Sequence, residues 1–157
     1  MYFPVYIDLS EKEILVTGGG TIASRRIRTL CGFAGRITVT APEIAAEIYE
    51  LSEEYPITVL KRKFQPRDLE GKALVLAATN DEECNNSVFE LCRKKGIPVN
   101  VCSDQTKCDF QFPSVVQHGD VVIGINASGR NHRLVKETRR KVERVMEISD
   151  SERKYCD

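Results

Sequence analysis

A short apolar run that leads directly into three consecutive glycines is the feature that most limits how this chain can fold. Residues 14–16 have the character of a buried strand, and residues 18–20 are all glycine. With Ala23 they match the pattern G-x-G-x-x-A, in which Gly18 permits a tight turn and Gly20 lets a pyrophosphate approach the backbone. Free N–H groups at the start of the following helix favour an anion. The pattern therefore predicts a dinucleotide site, with a glycine-rich turn that binds nothing as the alternative.

The segments around this turn alternate between strand-like and helix-like patterns. Segments 21–31 and 81–95 place apolar residues on one helical face. Five apolar or β-branched runs are predicted strands: 13–17, 36–40, 57–61, 73–78 and 98–102. This alternation predicts an α/β fold, with a Rossmann-like doubly wound parallel sheet and crossover helices, over residues 1–103.

The rhythm breaks after residue 103. We expect a small dimerisation region over residues 104–126, with a strand at 120–126, and a C-terminal helical segment over 127–157, with a helix at 131–148. Four apolar side chains, Phe110, Phe112, Val115 and Val116, offer more surface than so small a region could bury alone. A homodimer through this region is the prediction that follows.

The composition excludes several classes of protein. Lysine and arginine number 23, as do aspartate and glutamate, which argues against a general binder of nucleic acid or of a membrane surface. The apolar runs are too short to span a bilayer, and the N-terminus lacks the shape of a signal peptide. These two features predict a cytoplasmic protein. The chain is too long and too rich in core residues to need disulfides, so we expect its six cysteines to be reduced thiols. They include no C-x-x-C pair, so we expect no metal site.

Polar residues follow the predicted strands where open α/β sheets bind their ligands. Glu43 could reach an adenosine ribose, and no arginine stands beside it for a 2′-phosphate, so NAD is favoured over NADP; a plain first-turn acid is the alternative. Thr79 borders the cofactor space and forms with Glu82 a Thr-x-x-Glu capping box for the helix at 81–95. Asp104 is the best-placed carboxylate for acid–base work, or else a solvated loop residue.

The chain resembles the precorrin-2 dehydrogenases of sirohaem synthesis, some of which are also sirohydrochlorin ferrochelatases. The resemblance extends over segments 3–9, 18–20, 39–42, 77–81, 100–101 and 110–114. It implies an NAD-binding Rossmann domain, a central dimerisation region and a helical C-terminal part in a homodimer. It also implies NAD contacts at Thr21, Ile22, Pro42 and Glu43.

Two departures from the family concern the chemistry. The family usually has a catalytic aspartate directly after Asn-Val-Val, where this chain has Ser103 followed by Asp104. We therefore take Ser103 and Asp104 as the candidate catalytic residues. The family's Ser-Pro pair is also lost near residues 127–132. Because the family's substrate bears many carboxylates, Arg130, His132 and Arg133 are candidate substrate ligands, with a solvated helix face as the alternative.

The sequence thus predicts NAD-dependent dehydrogenation of precorrin-2 to sirohydrochlorin. Ferrochelatase activity is left open, since Ser103 replaces the expected acid. A non-catalytic NAD-binding sensor or assembly module is the alternative from another class. A third alternative, in which the basic helix binds nucleic acid, is disfavoured by the zero net charge.

Overall fold

The computed structural model describes residues 2–146, which form two compact units. One unit comprises residues 7–110, and the other combines residues 2–6 with residues 111–146. The predicted division at residues 103 and 126 stays a prediction. Among the described residues, none of the helices is both long and apolar enough to cross a membrane.

The first unit is a five-stranded parallel sheet with helices, as the alternating pattern predicts. The strands are β1 (Glu13–Thr17), β2 (Arg36–Thr40), β3 (Ile57–Leu60), β4 (Leu74–Ala77) and β5 (Val99–Val101). The helices are α1 (Thr21–Leu30), α2 (Ala46–Glu54) and α3 (Glu82–Lys95), with 3₁₀ turns at Pro66–Leu69 and Gln105–Lys107. The spatial order is β3-β2-β1-β4-β5, and every neighbouring pair is parallel.

The two central strands explain both the core and the location of the site. Ile14, Leu15 and Val16 of β1 are all 0% exposed, as expected for a parallel strand covered on both faces. The chain builds β2 and β3 on one side of β1 and then β4 and β5 on the other. This reversal opens a crevice at the carboxyl ends of β1 and β4, where open sheets of this kind bind ligands.

The start of α3 differs from the predicted capping box. Asp81 is the N-cap, because its carboxylate accepts a hydrogen bond from the Cys84 N–H at 3.0 Å. Thr79 lies outside the helix, and its hydroxyl accepts from the Asp81 N–H at 3.0 Å. The predicted box is therefore wrong: an aspartate two residues nearer the helix satisfies the first-turn amides, and Thr79 orders the turn before it. The helix α2 has no counterpart among the predicted elements.

The second unit contains a hairpin and a helix. Strand β6 (Ser114–His118) pairs antiparallel with β7 (Val121–Ile125) through Gly119, whose φ is +55°. Helix α4 (His132–Val145) is preceded by its N-cap Asn131, whose side chain accepts from the Leu134 N–H at 2.9 Å. The predicted helix reaches residue 148, and residues 147–148 lie outside the described residues.

Two valines of β6 are placed differently from the expectation. Val115 and Val116 are only 9% and 3% exposed, because β6 packs against α4 within the same unit. They therefore do not supply the exposed apolar surface predicted for them. Other apolar side chains of this unit are exposed instead, namely Phe3, Val5, Tyr6, Val121, Leu134 and Val145.

Candidate functional site

The glycine turn is built against two neighbouring loops. The Gly18 N–H donates to the Thr40 carbonyl at 2.9 Å, and Gly18 has a φ of +119°. A Cβ at Gly18 would lie 2.3 Å from the Ala78 carbonyl oxygen. Gly18 is thus required both by its backbone conformation and by the close approach of the loop after β4.

Gly19 is equally constrained, although the motif treats its position as free. A Cβ there would lie 2.2 Å from the Glu43 carbonyl oxygen and 2.9 Å from the Ile44 Cα. Its own carbonyl accepts from the Ala45 N–H at 2.8 Å. This contact was not predicted, because it joins the glycine turn to the loop after β2. The run of three glycines, rather than two, is the signal that could have indicated it.

Gly20 is the open member of the three. It is the N-cap of α1, it is exposed, and a Cβ built there would meet nothing within 4 Å. No side chain caps this helix and its first turn contains no acid. Thr21 and Ile22 follow on the exposed first turn, and Ile22 is 51% exposed. This uncapped N-terminus with space above it fits the pyrophosphate of a dinucleotide.

A cleft of about 450 Å³ adjoins this turn at the ends of β4 and β5. It contains Ile22 from α1 and both candidate catalytic residues, Ser103 and Asp104. Its other lining residues are Ala78, Thr79, Asn80, Glu82, Asn85, Asn86, Val101, Cys102 and Lys107. The structure therefore brings together candidates for both cofactor and catalysis that lie more than eighty residues apart in sequence.

Asn85 organises the wall of this cleft and was not singled out from the sequence. It is 2% exposed, and its Nδ2 donates to the Thr79 carbonyl at 3.0 Å. Its Oδ1 accepts from the Thr79 hydroxyl at 2.9 Å and from the Thr79 N–H at 3.3 Å. Its Nδ2 also lies 3.5 Å from the Ser103 hydroxyl, at the long end of hydrogen-bond distances. A buried amide thus fixes the loop after β4 beside the loop after β5.

Asp104 is occupied by local bonds. Its carboxylate accepts from the Thr106 N–H at 2.9 Å and from the Thr106 hydroxyl at 2.6 Å, and it pairs with Lys107 at 3.2 Å. These bonds, those from Thr106 first, lower the pKa of the Asp104 carboxyl below its ordinary value. Asp104 is consequently ionised at neutral pH and a weak proton acceptor there. Ser103 beside it is exposed.

Cations approach the same cleft from two elements. Lys107 donates to the Asn86 side-chain oxygen at 2.6 Å, which ties the loop after β5 to α3. Cys102 lies close enough to Arg26 of α1 to interact with its charge, yet burial is the larger effect and raises the pKa of the Cys102 thiol. Cys102 is therefore a neutral thiol at pH 7 and not a nucleophile poised for reaction.

The loop after β2 holds the remaining cofactor candidates. Pro42 and Glu43 are both exposed, and the Glu43 backbone packs against Gly19. This contact places the predicted ribose acid in the loop adjoining the glycine turn. The Thr40 hydroxyl, at the tip of β2, donates to the Arg62 carbonyl at 3.0 Å.

The predicted substrate ligands belong to the second unit. Arg130, His132 and Arg133 are all exposed, around the N-terminus of α4. The Arg133 Nε donates to Glu137 at 2.8 Å, an exposed pair one helical turn apart. Throughout residues 2–146, no three His, Cys, Asp or Glu side chains are grouped in a way that could hold a metal ion.

Known proteins resemble this chain over most of its length. Residues 5–114 match a family described as "Putative NAD(P)-binding". A "Siroheme synthase" of Pseudoalteromonas translucida is 37% identical over 145 residues, covering 92% of this chain and 31% of that protein. The "Probable multifunctional siroheme biosynthesis protein HemA" of Ruminiclostridium josui is 35% identical over 149 residues, covering 94% of this chain and 29% of that protein. The chain thus spans less than a third of the length of these curated relatives.

A solved structure has the same fold as this chain. "SirC, precorrin-2 dehydrogenase" is 30% identical to this chain, with a TM-score of 0.75, and the match covers 92% of this chain and 71% of SirC. The predicted resemblance and the predicted class of cofactor are confirmed by these matches. The chain therefore belongs to the NAD(P)-binding family that residues 5–114 match, and it has the fold of SirC.

Proposed function

We propose that this chain is an NAD-dependent precorrin-2 dehydrogenase, which removes a hydride and a proton from precorrin-2 to give sirohydrochlorin and NADH. The observation that carries the proposal is the open first turn of α1 at Gly20, directly beside a cleft that contains Ser103 and Asp104. The SirC fold and the siroheme names of the relatives support the same reaction.

On this proposal, the residues around the glycine turn hold the cofactor. Gly18 maintains the turn, and Gly20 leaves room for the pyrophosphate at the first-turn N–H groups of α1. Ile22 and Thr79 line the cleft beyond it. When bound, NAD supplies the hydride acceptor. The task of the chain is to place the substrate carbon against it, and Asn85 keeps the Thr79 loop in position for this.

The site offers only a weak base for the proton that the substrate releases. The lowered pKa of Asp104 makes this carboxylate a weak base, and Ser103 has no charge to contribute. We therefore infer that water or Asp104 accepts the proton. The reaction should then be slower than one served by a base whose pKa is about 7. Insertion of iron would require the removal of two pyrrole protons, so little or no ferrochelatase activity is the expectation.

The substrate ligands and the assembly complete the proposal. Arg130, His132 and Arg133 would bind carboxylates of precorrin-2, for which arginine forks are well suited. The exposed apolar side chains of the second unit, such as Phe3 and Tyr6, at 85% and 76% exposed, support a homodimer. The cytoplasmic location remains a prediction from the sequence.

One experiment tests the reaction directly. The chain is incubated anaerobically with precorrin-2 and NAD, while the absorbance of sirohydrochlorin and of NADH is followed. Formation of both products in equal amounts is the expected result. NAD binding without turnover would instead favour the non-catalytic sensor or assembly module, for which the altered Ser103 position is the specific argument.

A further inference from the structure

Arg62 is distant from β2 in sequence, yet its backbone lies at the tip of β2. Arg62 lies just beyond β3, which runs beside β2. The Thr40 hydroxyl donates to the Arg62 carbonyl at 3.0 Å, and the Ala41 N–H donates to the Leu60 carbonyl at 3.3 Å. Folds of this kind read the adenosine ribose at the tip of the second strand, with an acid for a 2′-hydroxyl or an arginine for a 2′-phosphate. The segments that carry both kinds of residue therefore meet at this edge, Glu43 after β2 and Arg62 after β3.

The guanidinium of Arg62 is held by one carboxylate. Its two terminal nitrogens donate to the two Asp68 oxygens at 2.8 and 2.6 Å, and one of them also donates to the Lys63 carbonyl at 3.0 Å. Asp68 is 8% exposed and also accepts from the Gln65 N–H at 2.8 Å. The Arg62 guanidinium lowers the pKa of Asp68, so the carboxylate is charged at neutral pH. The pair is bidentate and anchored at both ends.

This arrangement makes the edge unfavourable for a phosphate. A 2′-phosphate would have to displace the Asp68 carboxylate from Arg62 or lie beside it and the Glu43 carboxylate without a free guanidinium. A ribose hydroxyl carries no charge, so it need not displace Asp68 and is not repelled by the two carboxylates. Lys61 and Lys63 flank Arg62 and are exposed. Each can attract a phosphate as a point charge, but neither offers the planar fork with which a guanidinium matches one.

We propose that Asp68 is a specificity-determining residue, which withholds the Arg62 guanidinium and so makes the site prefer NAD to NADP. This inference rests on the dinucleotide site of the proposed function. It goes beyond that function because it names the residue that decides between the two cofactors.

The test is the affinity for each cofactor, measured by calorimetry on the full chain with NAD and with NADP. The wild-type protein should bind NAD more tightly. Asp68→Asn releases the guanidinium, so the ratio of the NADP Kd to the NAD Kd should fall at least about tenfold, the scale of one charge-assisted contact. Adding Arg62→Gln to this variant should restore the wild-type ratio.

Asp109→Asn is the matched control. Asp109 also accepts from an arginine, Arg93, and from a backbone N–H, that of Val99, each at 3.0 Å. It lies at the opposite edge of the sheet, where β5 begins, so its loss should leave the cofactor ratio unchanged. An equal change in Asp109→Asn and Asp68→Asn would overturn the proposal, because the effect would then be one of general stability.

Further outcomes separate this inference from the proposed function. A wild-type chain that binds neither cofactor overturns both. A wild-type chain that binds NAD, with an unchanged ratio in Asp68→Asn, overturns only the role of Asp68. If Asp68→Asn does not fold, Arg62→Gln alone decides: its ratio should stay within about twofold of the wild type, since the guanidinium is already withheld. A tenfold rise in that ratio would mean that Arg62 already binds the phosphate and would overturn the proposal.

Discussion

Replacing Gly20 with valine should weaken NAD binding strongly while leaving the fold intact. The site above Gly20 is open, and its φ of −89° is one that valine adopts, so the folded chain tolerates the side chain. Because valine is a poorer N-cap than glycine, we expect the substitution to lower the free energy of unfolding by about 1 kcal/mol and the Tm by about 2–4 °C. In the complex, the same side chain occupies the position of the pyrophosphate. The loss of one or two charge-assisted bonds, about 3 kcal/mol, raises the Kd about a hundredfold.

Gly19→Ala is the contrasting variant, because its Cβ would lie 2.2 Å from the Glu43 carbonyl oxygen. We expect it to lower the Tm far more than Gly20→Val does, since backbone must move to admit it. Calorimetry with NAD and thermal melting followed by circular dichroism measure the two effects separately. If Gly20→Val binds NAD within about threefold of the wild type, the pyrophosphate does not lie at this turn.

Three further predictions concern other parts of the molecule. Ser103→Asp should raise the rate of dehydrogenation in the anaerobic assay, and Asp104→Ala should lower it; unchanged rates in Asp104→Ala would make Asp104 a purely structural cap. Glu13→Gln should lower the free energy of unfolding in urea by about 2 kcal/mol at pH 7. The Lys72 side chain is only 9% exposed, and the substitution removes the carboxylate that lies 2.6 Å from its ammonium. The pKa of Glu13 lies below its ordinary value of 4.5, mainly through Lys72, so this stabilisation is present above pH 4.5 and lost as the pH falls through the folded pKa. The difference in free energy of unfolding between wild type and Glu13→Gln should therefore be smaller at pH 3 than at pH 7. An equal difference at both pH values would contradict the ion-pair explanation. Sedimentation should give a mass near twice the 17.7 kDa of one chain, and a monomer at micromolar concentration would exclude the homodimer.

The sheet could be predicted because its signals are local. The strands of the Rossmann unit are short runs rich in apolar and β-branched residues, and the bounds of β1 and β2 agree with the predicted ones. Helix α2 was missed because its pattern is weak: of its nine residues only Ile48 is buried. Strand β6 was missed although strand β7 and helix α4 were both predicted, because β6 is a strand only through its pairing with β7 and its packing against α4.

The parts of the site that could not be predicted depend on contacts between distant segments. Gly19 is held by the backbone after β2, Asn85 by Thr79 and Ser103, and Arg62 by the tip of β2. The motif could indicate Gly18 and Gly20, because their roles are set by a turn and a helix within a few residues. No spacing rule brings the residue that follows β3 to the tip of β2, because the parallel register does so only after the sheet has formed.

The loop after β5 decides how much chemistry the altered catalytic position can retain. In an extended segment Ser103 and Asp104 would point to opposite sides, but the Asp104 N–H donates to the Val101 carbonyl at 3.0 Å and a 3₁₀ turn begins at the next residue. The chain therefore turns here, and both residues line the same cleft. The turn is itself maintained by the Asp104 carboxylate, which caps it through Thr106, so the bonds that bring this acid to the cleft are those that lower its pKa. A general base contributes about a hundredfold to ten-thousandfold to a rate. Hydride transfer, which depends chiefly on placement, should survive that loss, whereas a step that removes two protons should not.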